Sequence, residues 1–185
     1  MTNQAPETII YEGVKYDLRG YALEQHKPKI EFHPVGSFCW RGYRGTWEIR
    51  DEKLYLVNLI AWRHDPNSRR MVPQIRVDEN ADFYMGEREE FDFLELALQD
   101  IFPESPAEGV FADWFTGELA IPIDERDEDG QHQLYRVFDF TNGELQSIVI
   151  KPKDDVIKPF NRDEFIKQLQ EERVNRKNRG NEWMK

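Results

Sequence analysis

Aromatic rings alternate with guanidinium groups between positions 39 and 47, in the order Cys39, Trp40, Arg41, Gly42, Tyr43, Arg44, Gly45, Thr46, Trp47. Such a stretch can stack a planar ligand while its arginines hold an anionic group, and its glycines allow close backbone approach. The same residues also suit a loop that feeds a strand, with Trp40 and Trp47 anchoring a core and the arginines paired to acids elsewhere. Asp113 interrupts the apolar run 110–115. A carboxylate there must be paired, hydrogen-bonded or raised in pKa, and a raised pKa would suit a general acid or base. A buried ion pair with Arg41 or Arg44 is the structural alternative. Trp40, Arg41, Tyr43, Arg44, Asp113 and Trp114 therefore form the candidate ligand-binding set.

The second candidate is electrostatic. Residues 78–130 hold 18 Asp and Glu side chains against two basic ones, Arg88 and Arg126, and account for the chain's net charge of −11. A field of that sign repels a nucleic-acid backbone and attracts a basic protein. Asp124, Glu125, Asp127, Glu128 and Asp129 are its densest run and the candidate partner-binding set; ordinary solubility is the plainer account of the same charge. Aligned to an EF-hand loop from Glu125, the run puts Gly130 at the sixth position but Arg136 at the twelfth, where a bidentate Glu is required. His26, His33, His64, His132 and Cys39 match no zinc spacing, so no metal and no cofactor is expected. The chain has no Gly-x-Ser-x-Gly elbow, phosphate loop or Rossmann glycine pattern, which points away from the common hydrolase, kinase and dehydrogenase classes.

These residues need elements to position them. Residues 9–11 and 14–16 read as a hairpin around Glu12-Gly13, 46–50 and 54–60 as a hairpin around Asp51-Glu52, and 134–140 and 144–150 as a hairpin around Asn142-Gly143. In the second strand of the middle hairpin, Leu54, Leu56 and Asn58 share one face and Tyr55, Val57 and Leu59 the other, so it reads as central and buried on both sides. Residues 110–115 and 118–123 suggest a further hairpin, 74–77 a short strand, and 21–24 a brief helix. Phe91, Leu94, Leu98 and Ile101 fall at helical spacing and predict a mid-chain helix ended by Pro103. Phe165, Ile166, Leu169 and Val174 predict a C-terminal helix over 161–180. The fold class is thus α+β: a mainly antiparallel sheet of about seven or eight strands in hairpins, one mid-chain helix and one C-terminal helix, all in one domain over 1–185 with residues 1–7 as a loose lead-in.

With 5 Trp, 7 Tyr and 12 Phe in 185 residues, the chain can bury a real core. No run of ~18 apolar residues could span a membrane, and no secretory signal opens the chain. A lone cysteine cannot form an internal disulfide, which fits a reducing cytoplasm. The strings CWRGYRGTWEI and LYLVNLI, from Cys39 onward, and VFADWFTGELAIP, from Val110, resemble those of small bacterial proteins with no assigned activity. The resemblance covers about a third of the chain. It implies a bacterial cytosolic origin and carries no catalytic residue across. The sequence reading is a non-catalytic acidic protein that engages a basic protein partner, as immunity proteins and inhibitors do. The alternative is a small-ligand pocket protein or enzyme centred on the 40–47 loop and Asp113.

Overall fold

A computed structural model describes residues 4–26, 31–77 and 83–157. The C-terminal helix expected over 161–180 lies outside them. Eleven strands are present among the described residues. Strands β1 (Glu7–Tyr11) and β2 (Val14–Leu18) precede a 3-10 turn over Ala22–Gln25. Next come β3 (Tyr43–Arg50), β4 (Lys53–His64), β5 (Arg70–Val77), β6 (Phe83–Glu90), β7 (Phe93–Ala97) and the single helical turn α1 (Leu98–Ile101). The chain continues through β8 (Val110–Phe111), β9 (Gly117–Pro122), β10 (Leu134–Thr141), β11 (Glu144–Pro152) and the turn α2 (Lys153–Val156). The structure is therefore rich in sheet, mostly antiparallel, with short helical turns.

The principal sheet runs β2-β1-β3-β4-β11-β10-β9. Only β1 and β3 pair in parallel among the described strands. The two ends of this path meet: the Arg19 amide donates to the Ala120 carbonyl at 2.8 Å and the Ala120 amide to the Arg19 carbonyl at 2.9 Å. The sheet thus curls back on itself as a barrel does, which removes exposed edges. Ile9, Trp47, Leu54, Leu56, Leu59, Leu119, Ile121, Phe138 and Phe140 fill its interior. Ala120, Tyr135 and Val137 face outward and are covered by Val156 and Ile157.

Three hairpins form around the turns the sequence predicts. Glu12 with Gly13, Asp51 with Glu52 and Asn142 with Gly143 all have positive φ, as two-residue turns that match strand twist require. β4 is central: β3 lies along one edge, while the start of β11, then β8 and β7, take the other. Its face assignment needs a correction. The register with β3 shifts at Thr46 and Trp47, so Val57 is an extra residue. A bulge of this kind reverses the facing of every later residue in the strand. Leu54 and Leu56 point inward before it and Leu59 and Ala61 after it, while Asn58 is exposed.

The mid-chain helix is corrected more deeply. Residues 93–97 form β7, antiparallel to the far end of β4, and helix remains only as the one turn of α1. Leu94, Leu96 and Leu98 also recur at a spacing of two, and pairing with the open edge of β4 selects that period. The hairpin expected over 110–115 and 118–123 does not form: β8 has two residues and pairs with β4, and β9 pairs with β10. β5 and β6 make a separate two-stranded ribbon.

Asp51 and Glu52 hold φ of 50° and 57° without a glycine. A left-handed non-glycine residue costs ~1–2 kcal/mol, offset in part by the greater chain entropy of glycine. Glu52→Gly should therefore raise stability by roughly 0.5–1 kcal/mol, read as a higher urea midpoint. A lower midpoint would show that this turn carries no strain.

Candidate functional site

The site begins with a charge in the core. Parallel pairing of β1 with β3 sets Ile9 opposite Trp47 and Thr8 opposite Thr46, which brings Glu7 alongside Gly45. Glu7 is the one charged or polar residue fully buried among the described residues, at 1% exposure. The Trp47 indole Nε1 donates to its Oε2 at 2.7 Å, and the Gly45 backbone N–H donates to the same carboxyl group. Only glycine fits at 45, since a Cβ there would lie 2.5 Å from Glu7 Oε2.

The other carboxyl oxygen, Oε1, has no hydrogen-bond partner among the described residues. It faces Arg41 Nε at 4.0 Å, an ion contact too long for a hydrogen bond. Burial pushes the Glu7 carboxyl up to about 7, against the lowering effects of Trp47, Arg41 and Gly45. Burial, followed by the charges of Glu7 and Glu24, also drives the Tyr43 phenol well above its ordinary range. The Tyr43 hydroxyl and Arg41 Nε likewise lack hydrogen-bond partners among the described residues.

Arg41 carries this buried group to the surface. Its guanidinium lies 4.4 Å from the Tyr21 ring centroid and 5.6 Å from that of Tyr43, and donates to the Ala5 carbonyl at 2.9 Å. Gln4 accepts from the Trp40 amide at 2.9 Å and donates to the Ser37 carbonyl at 2.8 Å, which ties the 37–40 loop to the chain leading into β1.

Arg41 and Tyr21 line a cleft of about 470 Å³ whose opposite wall is the loop 126–132. Aspartates fold that loop. The Asp127 carboxylate accepts from the amides of Asp129 (3.0 Å) and Gln131 (2.8 Å), and Asp124 Oδ2 accepts from those of Gln133 (2.7 Å) and Leu134 (3.2 Å). His132 Nδ1 sits 2.7 Å from the Asp124 carbonyl, which can only accept, so Nδ1 bears the proton. Nε2 is then the acceptor for Arg126 Nε at 3.4 Å. Arg19, Arg41, Arg126 and His132 thus surround one concavity, with Asp17 the carboxylate among its lining.

The sequence-derived candidates separate in space. Arg41 and Tyr43 meet. Trp40 stands 66% exposed, and Arg44 is exposed on β3. Asp113 is exposed, contrary to the burial its apolar neighbours suggested, because residues 112–115 form a turn closed by the Phe115 amide on the Ala112 carbonyl at 2.9 Å. Trp114 donates to the Ala22 carbonyl at 3.1 Å and stacks on Phe102, away from Arg41's cleft. The carboxylate that faces Arg41 is Glu7. The signal was there: Glu7 and Ile9 stand two apart, the spacing of one strand face.

The acidic stretch is also divided. On β6 and just beyond it, Glu89 pairs with Arg69, Glu90 with Arg70 and Arg88, and Asp92 with Arg70, while on β9 Glu118 pairs with Lys151. Asp124 and Asp127 are spent on backbone amides. Glu125, Glu128 and Asp129 are exposed and make no ion pair among the described residues. No group of three or more His, Cys, Asp or Glu side chains among the described residues is placed to hold a metal, and no described helix is long and apolar enough to cross a membrane. No family model matches the chain, and no curated protein or solved structure matches it either.

The Glu7 carboxyl has its folded pKa raised to about 7 from 4.5. The folded protein therefore holds this proton more tightly than the unfolded chain, so the stabilisation is complete below about pH 4.5 and is lost as pH rises through 7. The loss amounts to about 3 kcal/mol. Glu7→Gln keeps an acceptor for Trp47 but carries no such dependence. Urea midpoints from pH 4.5 to 8 should fall for the parent relative to the variant, and parallel curves would contradict the assignment.

Proposed function

We propose that the protein is a non-catalytic binding protein that takes a small anionic ligand, bearing phosphate or carboxylate groups, in the cleft between Arg41 and the 126–132 loop. The observation that carries this reading is the lining itself. Three arginines, Arg19, Arg41 and Arg126, converge on one concavity of a chain whose net charge is −11. Guanidinium groups suit such ligands because their planar fork matches carboxylate and phosphate oxygens. Arg41 comes to the cleft already held by Tyr21 and Ala5, so little freedom is lost on binding. The buried free thiol of Cys39 suits a reducing cytoplasm, and the resemblance to small bacterial proteins fits that setting.

Inorganic pyrophosphate and citrate are suitable probes, titrated by calorimetry at low salt. Saturable one-to-one binding is expected, weakened about tenfold by Arg126→Ala, as loss of one charge-assisted hydrogen bond of ~1.5 kcal/mol requires. Equal affinity in parent and variant would refute the reading.

A second reading, docking of a basic protein, is favoured by the exposure of Glu125, Glu128 and Asp129 at the loop tip. It excludes Asp124 and Asp127, whose carboxylates hold the loop together. Replacing Glu125, Glu128 and Asp129 by their amides should weaken salt-sensitive capture of a basic protein at least threefold, since rim charges contribute ~0.2–1 kcal/mol each. Capture unchanged by the triple substitution would remove that surface from consideration.

A further inference from the structure

We infer that the cavity between β4, β8 and the α1–β8 connection is a second binding site, built for a small organic cation with an apolar body. The space measures about 1090 Å³, just above the ~300–1,000 Å³ typical of small-molecule sites. Aromatic rings make much of its wall. Tyr55 and Phe111 are neighbours across the β4–β8 pairing, with ring centroids 5.7 Å apart, and Phe102 is backed by the parallel ring of Trp114 at 5.7 Å. Ring faces attract cations that have left water. One face of Tyr55 and one of Phe111 already carry Arg50 at 4.5 Å and Lys53 at 5.5 Å, so a ligand cation would use what these leave open.

The unmatched charge in these walls is negative. Asp51, Glu104 and Glu108 line the cavity and make no ion pair among the described residues. Asp100 also lines it, but its Oδ2 accepts from the Ala97 amide at 2.7 Å. Arg50 is the lining residue of opposite charge, and its guanidinium is already engaged. It lies 4.5 Å over the Tyr55 ring, donates to the Glu108 carbonyl at 2.8 Å and sits 3.4 Å from the Glu48 carboxylate. Burial pushes the His26 imidazole below its ordinary range, against the opposing pull of Asp113. Its Nδ1 and Ser105 Oγ have no hydrogen-bond partner among the described residues and are closed off from solvent.

The wall is formed in advance of any ligand. Two turns shape the connection, Ser105 N–H to the Phe102 carbonyl and Gly109 N–H to the Pro106 carbonyl, each 3.0 Å. Gly109, at φ +107°, lies so close to β4 that a Cβ would stand 2.7 Å from the Leu56 carbonyl oxygen. A preformed, aromatic and negatively rimmed cavity of this size fits a whole molecule better than a single lysine side chain. It shares none of its lining with the arginine cleft, so either site can hold a ligand whether or not the other does.

Three probes decide it: 2-phenylethylammonium, its neutral counterpart 2-phenylethanol, and Nα-acetyl-lysine amide, each titrated while resonances of residues 102–111 are monitored by NMR. The ammonium should bind saturably and at least threefold tighter than the alcohol and the lysine amide. Glu104→Gln with Glu108→Gln should weaken the ammonium about 3–10-fold, as loss of two exposed carboxylates implies, and leave the alcohol unchanged. Arg126→Ala should change neither. Equal binding of ammonium and alcohol, or no binding of either, would overturn the inference. A lysine amide that binds as tightly as the ammonium would overturn it too, by assigning the cavity to a protein side chain.

Discussion

A carboxylate with no access to water governs the architecture around β1 and β3. Burying an ionised Glu7 costs several kcal/mol unless it is neutralised or fully hydrogen-bonded. The fold answers in three ways: Trp47 and Gly45 donate to one carboxyl side, Arg41 faces the other, and the pKa rises to about 7. Each answer constrains geometry. Residue 45 must be glycine, the Trp47 ring must turn its N–H inward, and Arg41 must reach back over Tyr21 and Tyr43. The loop that holds Arg41 is thereby fixed against the residues that lead into β1, and the floor of the cleft is fixed with it.

Charge elsewhere in the molecule is arranged locally. Arginines 69, 70 and 88 offset carboxylates on β6 and just beyond it, and Lys151 offsets Glu118 across β9, β10 and β11. Aspartates of the 124–133 loop act as acceptors for backbone amides, which is structural work that needs no partner. Among the described residues, two of the concavities are of opposite character. One gathers Arg19, Arg41, Arg126 and His132, and the other sets Tyr55, Phe102 and Phe111 beneath Glu104 and Glu108. The overall charge of −11 therefore says little about the ligand of either one.

Elements defined by neighbours in sequence were legible from the sequence. Turn chemistry at Glu12-Gly13, Asp51-Glu52 and Asn142-Gly143 located three hairpins, and the β-branched and aromatic run 54–60 located the central strand. Elements defined by distant partners were not. Residues 93–97 fit two periods, and only the open edge of β4, some thirty residues earlier in the chain, selects the strand. Residues 110–111 are recruited by that same edge and so leave no hairpin. Val57 could not be seen as a bulge without its partner strand. At the site, two of the residues picked out in 40–47, Arg41 and Tyr43, lie together, the guanidinium 5.6 Å from the Tyr43 ring centroid. Residues 1–7 read as a loose lead-in, but Glu7 opens β1, and its spacing of two from Ile9 marks an inward face only once β1 lies beside β3.

The state of the Glu7 carboxyl is the most direct test of the buried-charge account. Carbon-detected NMR titration of the Glu7 side-chain carboxyl carbon, in the intact folded protein from pH 4 to 9, should show a midpoint near 7. A midpoint near 4.5, the value of a solvated carboxyl group, would mean that Glu7 is not buried against Trp47 and Arg41, and the cleft would lose its foundation.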